Sequence, residues 1–397
     1  MKNIIPEIQA AESALQAIRR DIHAHPELCY EEVRTSDVVA EKLESWGIEV
    51  TRGLGKTGVV GVLRNGTGTR TIGLRADMDA LPIQELNTFA HTSQHPGKMH
   101  ACGHDGHTAM LLGAAQYLSE HRNFDGTIVF IFQPAEEGGG GAKAMLDDGL
   151  FEKFPVDAVF ALHNWPGLAA GNFGARVGAT QASSNEFKIV VKGTSAHAAL
   201  PHNGNDPVLA AMHIGTGLQS ILTRNVRPVD SAVMSITQMQ AGEAVNVIPD
   251  TATLAGTVRT FSLDVLDLIE RRMREYCEST AAAHGCTVEF GFHRNYPPTV
   301  NTAAETKFAL DVMRDIVGSD HVEDPIDPTM GAEDFSFFLL ERPGCYAYIG
   351  NGTGDHREHG HGLGPCMLHN TSYDFNDQVL TLGSTYWVRL VEKFLTA

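Results

Sequence analysis

The segment TIVFIFQPAEEGGGG, residues 127–141, contains a short apolar run that is followed by two carboxylates and four glycines. The run TIVFIF predicts a buried strand. Further short strands are predicted in the same half of the chain: residues 58–63, 71–74 and 158–162. Apolar residues at helical spacing predict helices between and around them: residues 7–23, 34–46 and 108–118. Strands that alternate with helices indicate an α/β fold, with a mainly parallel sheet between helices.

The middle of the chain follows a different order and predicts a separate domain. Its elements run strand, helix, strand, strand, helix, strand, which is the ferredoxin-like α+β order: residues 186–191, 206–222, 231–237, 251–258, 263–284 and 287–290. Helix and strand alternate again after about Tyr296, with a helix at 305–317 and a strand at 346–349. We therefore expect a catalytic α/β domain of residues 1–182 and 295–397, interrupted by an inserted domain of residues 183–294.

The composition excludes several classes of protein. Apolar residues make up 43% of the chain, which rules out a disordered protein. With 30 Lys+Arg against 48 Asp+Glu and no basic block, a nucleic-acid partner is not expected. The longest apolar runs fall far short of the roughly 18 residues that cross a bilayer. Glu7 and Glu12 interrupt the apolar stretch that a secretory signal would need.

The six cysteines are scattered without a CxxC pair, which predicts thiols in a reducing compartment. We therefore expect a cytoplasmic protein that acts on a small molecule and binds neither nucleic acid nor a membrane.

The segment MHACGHDGHTAM, residues 99–110, contains a candidate metal site. Cys102 and His104 flank Gly103, and this spacing suits two ligands of one centre because glycine lets the backbone fold tightly around an ion. A buried cysteine beside surface histidines explains this segment equally well.

Glu136 and Glu137 form a second candidate site, directly after the strand that ends at Phe132. Adjacent like charges repel and consecutive glycines lose entropy on ordering, so the arrangement is costly as structure alone. A metal-assisted hydrolase explains the cost, because one carboxylate binds the cation while its neighbour takes a proton from water. A solvated acidic turn is the alternative.

Other candidates follow neighbouring strands or lie near the C-terminus. His163 follows the strand 158–162, and Asp79 follows the strand 71–74, where its carboxylate could orient a ligand imidazole. His369 precedes a predicted helix, whereas the histidines of GDHREHGHG, residues 354–362, are interpreted as an exposed loop.

Together these segments offer five ligands, enough for two divalent ions: Cys102, His104, Glu137, His163 and His369. Mixed sulfur, nitrogen and oxygen ligands suit zinc, manganese, cobalt or nickel better than magnesium or calcium.

The motifs resemble those of the M20 metallopeptidases, and specifically the amidohydrolase branch with hippurate hydrolase, N-acyl-amino-acid amidohydrolases and plant auxin-conjugate hydrolases. The match runs in order along nearly the whole chain, through RRDIHAHPELCYEE, LRADMDALPIQE, MHACGHDGHTAM, FQPAEEGGGGA, ALHNWPG, GTSAHAALPH, NVIPDTATLAGTVRTF, MGAEDFSFFL and LHNTSYDFND. The resemblance implies a di-metal catalytic domain with an inserted ferredoxin-like lid, commonly used for dimerisation. It therefore implies a homo-oligomer, a dimer or tetramer.

The resemblance also implies roles for individual residues. Two divalent ions per subunit would be bound by the five ligands named above, with Glu136 as the general base. His197 matches a histidine that polarises the scissile carbonyl or its oxyanion, and Asn246 and Arg259 match positions that hold the substrate carboxylate or neighbouring groups. The chain departs from many relatives at residues 194–196, Thr-Ser-Ala in place of a glycine-rich run, which affects the expected shape of the acyl pocket. MGAEDF fits the family pattern, but no role is assigned to its acidic residues.

The leading prediction is metal-dependent hydrolysis of N-acyl amino acids, such as hippurate or N-acetyl amino acids, to a carboxylic acid and a free amino acid. A dipeptidase or aminopeptidase is the alternative, and it requires an acidic residue that recognises a free α-amino group. A binding protein without turnover is a third hypothesis. Glu136 weighs against it, because a metal store needs ligands and no base.

Overall fold

A computed structural model describes residues 2–357 and 359–396 of the protein. The chain forms two compact units. The first unit consists of residues 1–180, 300–327 and 334–397, and the second of residues 181–299 and 328–333.

The helices of the described residues are α1 (Pro6–Ala10), α2 (Glu12–Ala24), α3 (Val33–Ser45), α4 (His104–His121), α5 (Gly141–Asp147), α6 (Leu150–Lys153), α7 (Pro207–Arg224), α8 (Leu263–Ala283), α9 (Ala303–Val317), α10 (Ser336–Glu341) and α11 (Leu380–Phe394). The strands are β1 (Glu49–Leu54), β2 (Gly58–Asn65), β3 (Thr71–Asp77), β4 (Gly126–Gln133), β5 (Ala158–Pro166), β6 (Phe173–Gly174), β7 (Gly178–Gln181), β8 (Ser184–Lys192), β9 (Ala196–His197), β10 (Ala232–Ala241), β11 (Val247–Ile248), β12 (Thr251–Thr260), β13 (Thr287–Tyr296), β14 (Thr299–Asn301), β15 (Val322–Glu323) and β16 (Gly344–Gly352).

The first unit is built on an eight-stranded sheet in the order β1-β2-β4-β3-β5-β16-β6-β15. Its central strands β4, β3, β5 and β16 are parallel to one another. β1 and β2 add to one side as antiparallel strands. The predicted α/β class with a mainly parallel sheet is therefore confirmed.

Both faces of this sheet are covered, which explains the uninterrupted apolar run of β4. Phe130 belongs to one buried apolar core and Ile131 to another, because successive side chains of a strand point to opposite faces. The larger core includes residues of α4 and α11, and these two helices meet closely at Gly383. A Cβ there would come within 2.0 Å of Sδ of Met110 on α4.

The second unit has a four-stranded antiparallel sheet in the order β10-β12-β8-β13. Alternate residues of β8, such as Phe187 and Ile189, are buried in a core shared with α7 and α8. Asp206 begins α7 by accepting the amide hydrogens of Val208 and Leu209, which are donors without a partner inside the helix. The order of these elements is the predicted ferredoxin-like one, and the predicted insertion, residues 183–294, lies within this unit.

No bounds were predicted from the sequence for strand β1, for the short helices α5, α6 and α10, or for the helix after His369, which is α11. Among the described residues, none of the helices combines the length and apolar character that a membrane span requires.

Candidate metal centre

Three neighbouring parallel strands bring acidic and imidazole groups to one edge of the first unit's sheet. β3 ends at Asp77, Glu136 and Glu137 follow β4, and His163 lies in β5. Because β3 pairs in parallel with both β4 and β5, their carboxyl ends are adjacent. This edge is where α/β sheets commonly bind ligands.

Gly103 shapes the loop that carries Cys102 and His104. Its φ is +89°, in the left-handed region, and it is the N-cap of α4. A Cβ at this position would come within 2.3 Å of Nδ2 of Asn164. The backbone conformation and the close approach both favour glycine, as the sequence predicted.

Three of the predicted ligands form one group. A ligand atom from each of Cys102, Glu137 and His369 lies within 4.8 Å of the others. Nε2 of His369 is 3.0 Å from Oε1 of Glu137, and the His369 side chain is 52% exposed, so the group is reachable from solvent. Nε2 of His163 lies 3.4 Å from Sγ of Cys102, at the buried side of the same group.

A second group shares Glu137 with the first. It consists of His104, Glu136 and Glu137, again with ligand atoms within 4.8 Å of one another. The structure therefore brings all five predicted ligands and the predicted base together within the first unit.

Asp79 orients residues on both sides of this second group. Its carboxylate accepts the amide hydrogens of Glu136 and Glu137 at 3.0 and 2.9 Å. Nδ1 of His104 lies 2.8 Å from the carbonyl oxygen of Asp79. Asp79 thus fixes the main chain of the predicted base Glu136 and of the predicted ligand Glu137. It also orients the ring of the predicted ligand His104.

The donor set fits a cation. A carbonyl oxygen only accepts, so Nδ1 of His104 donates to Asp79, and Nε2 of the same buried ring has no hydrogen-bond partner. A buried ring nitrogen without a hydrogen-bond partner, grouped with the carboxylates of Glu136 and Glu137, is an arrangement that suits divalent zinc, cobalt or nickel.

Negative charge dominates the site. Burial opposes the protonated form of His104, but Asp77, Asp79 and Glu137 outweigh it and raise its pKa to about 10. Burial together with Glu137 and Glu136 raises the pKa of the Cys102 thiol well above its usual range. A surplus of buried carboxylate charge attracts protons here, and it would equally attract a metal ion.

Arg75 was not singled out from the sequence, although it stands in the RADMD motif. Its guanidinium donates to Gln133 at 2.8 Å, to Asp77 at 2.6 Å and to Asp334 at 3.2 Å, and all four side chains are buried. Burial disfavours the charged form of Asp77, but His104 and Arg75 hold the pKa of this carboxyl well below its usual range. The role of Asp334, which the sequence left open, is to complete this ion-paired network.

The remaining predicted residues lie in the second unit. His197 of β9 pairs with Val247 of β11, and the main chain of Asn246 accepts the amide hydrogen of Ala198 at 3.0 Å. The amide of Ala199 donates to Nδ1 of the exposed His197, so Nε2 carries its hydrogen and can donate outward. Arg259 lies in β12 and is half-buried. Burial lowers the pKa of its guanidinium, against the opposing charge of Glu186.

The histidine-rich loop differs from its predicted exposed state. Nε2 of His361 lies 3.1 Å from the buried carboxylate of Asp374, and its side chain is only 12% exposed. His356 is half-buried against the carbonyl of the same aspartate, whereas His359 is exposed as predicted. The partner, Asp374, lies outside the loop, so the loop's own composition did not indicate it.

Comparison with known proteins defines the class of this enzyme. Residues 73–393 match the peptidase family M20/M25/M40. The chain is 42% identical to hippurate hydrolase of Campylobacter jejuni, covering 99% of this chain and 100% of that protein. It is 40% identical to N-acetyl-L-cysteine deacetylase of Bacillus subtilis, covering 89% and 83%.

Solved structures agree. One of them is the crystal structure of the Bacillus subtilis YXEP protein, described as a dinuclear metal-binding peptidase from the M20 family. It superposes with a TM-score of 0.83 at 34% sequence identity, and the match covers 98% of this chain and 99% of that one. The chain belongs to the M20 family, and within it the protein is a metal-dependent amidohydrolase.

Proposed function

We propose that this enzyme hydrolyses the amide bond of N-acyl amino acids, such as hippurate and N-acetyl amino acids, to a carboxylic acid and a free amino acid. The observation that carries the proposal is the convergence of a thiol, three imidazoles and two adjacent carboxylates in the first unit. The names of the relatives support the substrate class.

Two divalent ions would be held by Cys102, His104, Glu137, His163 and His369, with Glu137 in both groups of ligands. Zinc, manganese, cobalt and nickel are the ions that this donor set suits. When bound, such ions lower the pKa of water and polarise an amide carbonyl.

Glu136 is proposed as the general base. It takes a proton from the attacking water and delivers it to the leaving nitrogen, so that the products are a carboxylic acid and an amine. Its fixed amide, held by Asp79, keeps the carboxylate beside His104 and Glu137. Because Glu136 lies beside the proposed ligands and can carry a proton, it favours a hydrolase over a metal-storage protein.

Residues of the second unit are proposed to act on the substrate. His197 would donate from Nε2 to the developing oxyanion. Arg259 would bind the substrate carboxylate, because a guanidinium can donate two parallel hydrogen bonds to it, and Asn246 would hold a neighbouring group. Replacing Arg259 with lysine should raise KM for carboxylate substrates.

We propose in addition a homo-oligomer, dimer or tetramer, in the cytoplasm. Exposed apolar side chains on the second unit, Met239, Val245 and Val247, support a protein contact there. The six cysteines are all unpaired, which supports a reducing compartment.

The deciding experiment measures amine release from a panel of N-acyl amino acids and dipeptides. Chelated protein is tested before and after addition of zinc, manganese, cobalt or nickel. Metal-restored cleavage of hippurate or N-acetyl amino acids, with poor cleavage of dipeptides, is the expected result. Preferred cleavage of dipeptides would replace the proposal with a peptidase. Tight metal binding with no cleavage of any substrate would indicate a binding protein.

A further inference from the structure

His107, one helical turn after His104 on α4, has both ring nitrogens engaged. Nδ1 lies 2.6 Å from Oδ1 of Asp77, and Nε2 lies 2.9 Å from the main-chain nitrogen of Asn164. The side chain is 1% exposed, so both contacts are shielded from water.

These contacts define the tautomer of the ring. A main-chain amide can only donate, so Nε2 of His107 is the acceptor and Nδ1 carries the hydrogen that is donated to Asp77. Ligand atoms of Asp77, His104, His107 and His163 lie within 4.8 Å of one another. His107 is nevertheless not a metal ligand in this arrangement, because neither of its nitrogens offers a free lone pair.

Asn164, whose main-chain amide donates to His107, is linked to two predicted ligands, His163 and Cys102. Asn164 directly follows His163, and its side-chain Nδ2 donates to the carbonyl oxygen of Cys102 at 2.6 Å. Its Oδ1 accepts the Tyr373 hydroxyl at 2.8 Å. The His107 ring also lies against the His163 ring, with 4.4 Å between centroids. One buried imidazole therefore contacts the strand end that carries His163, and Asn164 connects that strand end to the Cys102 loop.

We propose that His107 is a positioning residue of the metal centre, which sets the separation of Cys102 and His163 through its Nε2 contact with the Asn164 amide. The inference rests on the proposed metal ligands. A rigid buried acceptor is effective here because a ligand pair displaced by a fraction of an ångström binds a cation less tightly.

Two variants separate the two contacts of the ring. His107→Gln places an amide oxygen where Nε2 stands and can still accept from Asn164, whereas His107→Asn keeps only a donor toward Asp77. The affinity of each metal-free variant for Co²⁺ is measured by competition with a chromophoric chelator, and the visible spectrum of bound Co²⁺ reports ligand geometry. His107→Asn is expected to bind Co²⁺ about 10–100-fold more weakly with an altered spectrum, while His107→Gln stays near wild type.

Ser384→Ala is the matched control for lost stability. Ser384 is buried on α11 and donates to the carbonyl of Met110, on the same helix as His107, at 2.9 Å. This variant is expected to lower Tm without changing Co²⁺ affinity. Equal affinity loss in both His107 variants, no loss in either, or loss in His107→Gln alone would each overturn the inference.

Cys102→Ser separates failure of the inference from failure of the proposed centre. Unchanged Co²⁺ binding in Cys102→Ser would contradict the ligand set itself. Weakened binding in Cys102→Ser with wild-type binding in His107→Asn would reject only the role of His107.

Histidine ¹⁵N NMR of the wild-type protein needs no variant that might misfold. The ¹⁵N shifts of the His107 ring should place the hydrogen on Nδ1 and an unprotonated acceptor at Nε2, and a hydrogen on Nε2 would overturn the inference.

Discussion

The carboxylate of Asp79 accepts the main-chain amide hydrogen of Glu137 at 2.9 Å, and thereby anchors the loop that follows β4. The neighbouring amide of Glu136 donates to the other carboxylate oxygen. One side chain just after β3 thus fixes the main chain of the two glutamates that follow β4. Asp79 is therefore the structural link between the predicted ligand Glu137 and the predicted base Glu136.

Asp79→Ala should therefore damage both metal binding and turnover. Loss of two amide acceptors frees the glutamate loop, and metal affinity is expected to fall about 10–100-fold. Metal affinity and kcat are measured together. Asp125→Ala is the matched control, because Asp125 also accepts two main-chain amides, those of Thr67 and Gly68, in an exposed turn. Equal metal affinity in the two variants would contradict the role of Asp79.

Glu136→Gln should abolish proton transfer while the metal stays bound. Glutamine has nearly the same shape but cannot take a proton from water, so kcat is expected to fall about 10²–10⁴-fold with little change in KM. Metal content per chain and steady-state kinetics on the best N-acyl amino acid test this. Glu152→Gln, at an exposed position of α6, serves as control. Full activity in Glu136→Gln would reject the proposed mechanism.

The sequence predicted those parts of the fold that depend on local pattern. Strand β4 was predicted because it is an uninterrupted apolar run. The run is apolar because its side chains are buried in two cores on opposite faces of the sheet, as with Phe130 and Ile131. The gathering of Glu136, Glu137 and His163 followed from a general rule, that parallel strands end at one edge of a sheet. The role of Gly103 followed from its own backbone freedom.

Contacts between distant parts of the chain could not be predicted in the same way. Arg75 donates to Asp334, which is 259 residues away in the sequence. His361 contacts Asp374 in an irregular segment that has no helix or strand periodicity. The tautomer of His107 depends on an amide contributed by β5. Such contacts depend on how several helices and strands pack together. Local sequence patterns do not give that information.

The buried ring of His23 makes folding stability depend on pH. Its Nδ1 is 2.8 Å from Asp105 and its Nε2 is 3.3 Å from Glu85. Burial opposes the protonated form, but Asp105 and Glu85 outweigh it and raise the pKa from 6.5 to about 9. The folded state thus holds a proton that the unfolded chain releases. This stabilisation is complete below pH 6.5 and is lost as pH rises through about 9.

The expected loss is up to about 3 kcal/mol of unfolding free energy. Urea unfolding of the metal-free protein, at about pH 6.5 and about pH 9.5, measures it. His23→Gln should be less stable than wild type at the lower pH and should lose less stability on going to the higher one. An identical pH dependence in wild type and His23→Gln would show that another group is responsible.

Gly103→Ala tests whether the metal loop depends on close approach as well as on backbone conformation. Gly103 has a φ of +89° and a Cβ there would meet Asn164 Nδ2 at 2.3 Å, whereas Gly97 has a φ of +79° with nothing within 4 Å of its Cβ. Alanine at Gly97 should therefore cost only the strain of a left-handed residue, about 1 kcal/mol.

Alanine at Gly103 carries the same strain and must also displace Asn164, the side chain that holds the carbonyl of Cys102. Its Tm should fall further than that of Gly97→Ala, and its Co²⁺ affinity should fall as well, since Cys102 would no longer be held opposite His163. Chelator competition and thermal unfolding of both variants measure the difference. If Gly103→Ala loses no more Co²⁺ affinity than Gly97→Ala, the Cys102 loop tolerates the displacement and Asn164 does not set its position.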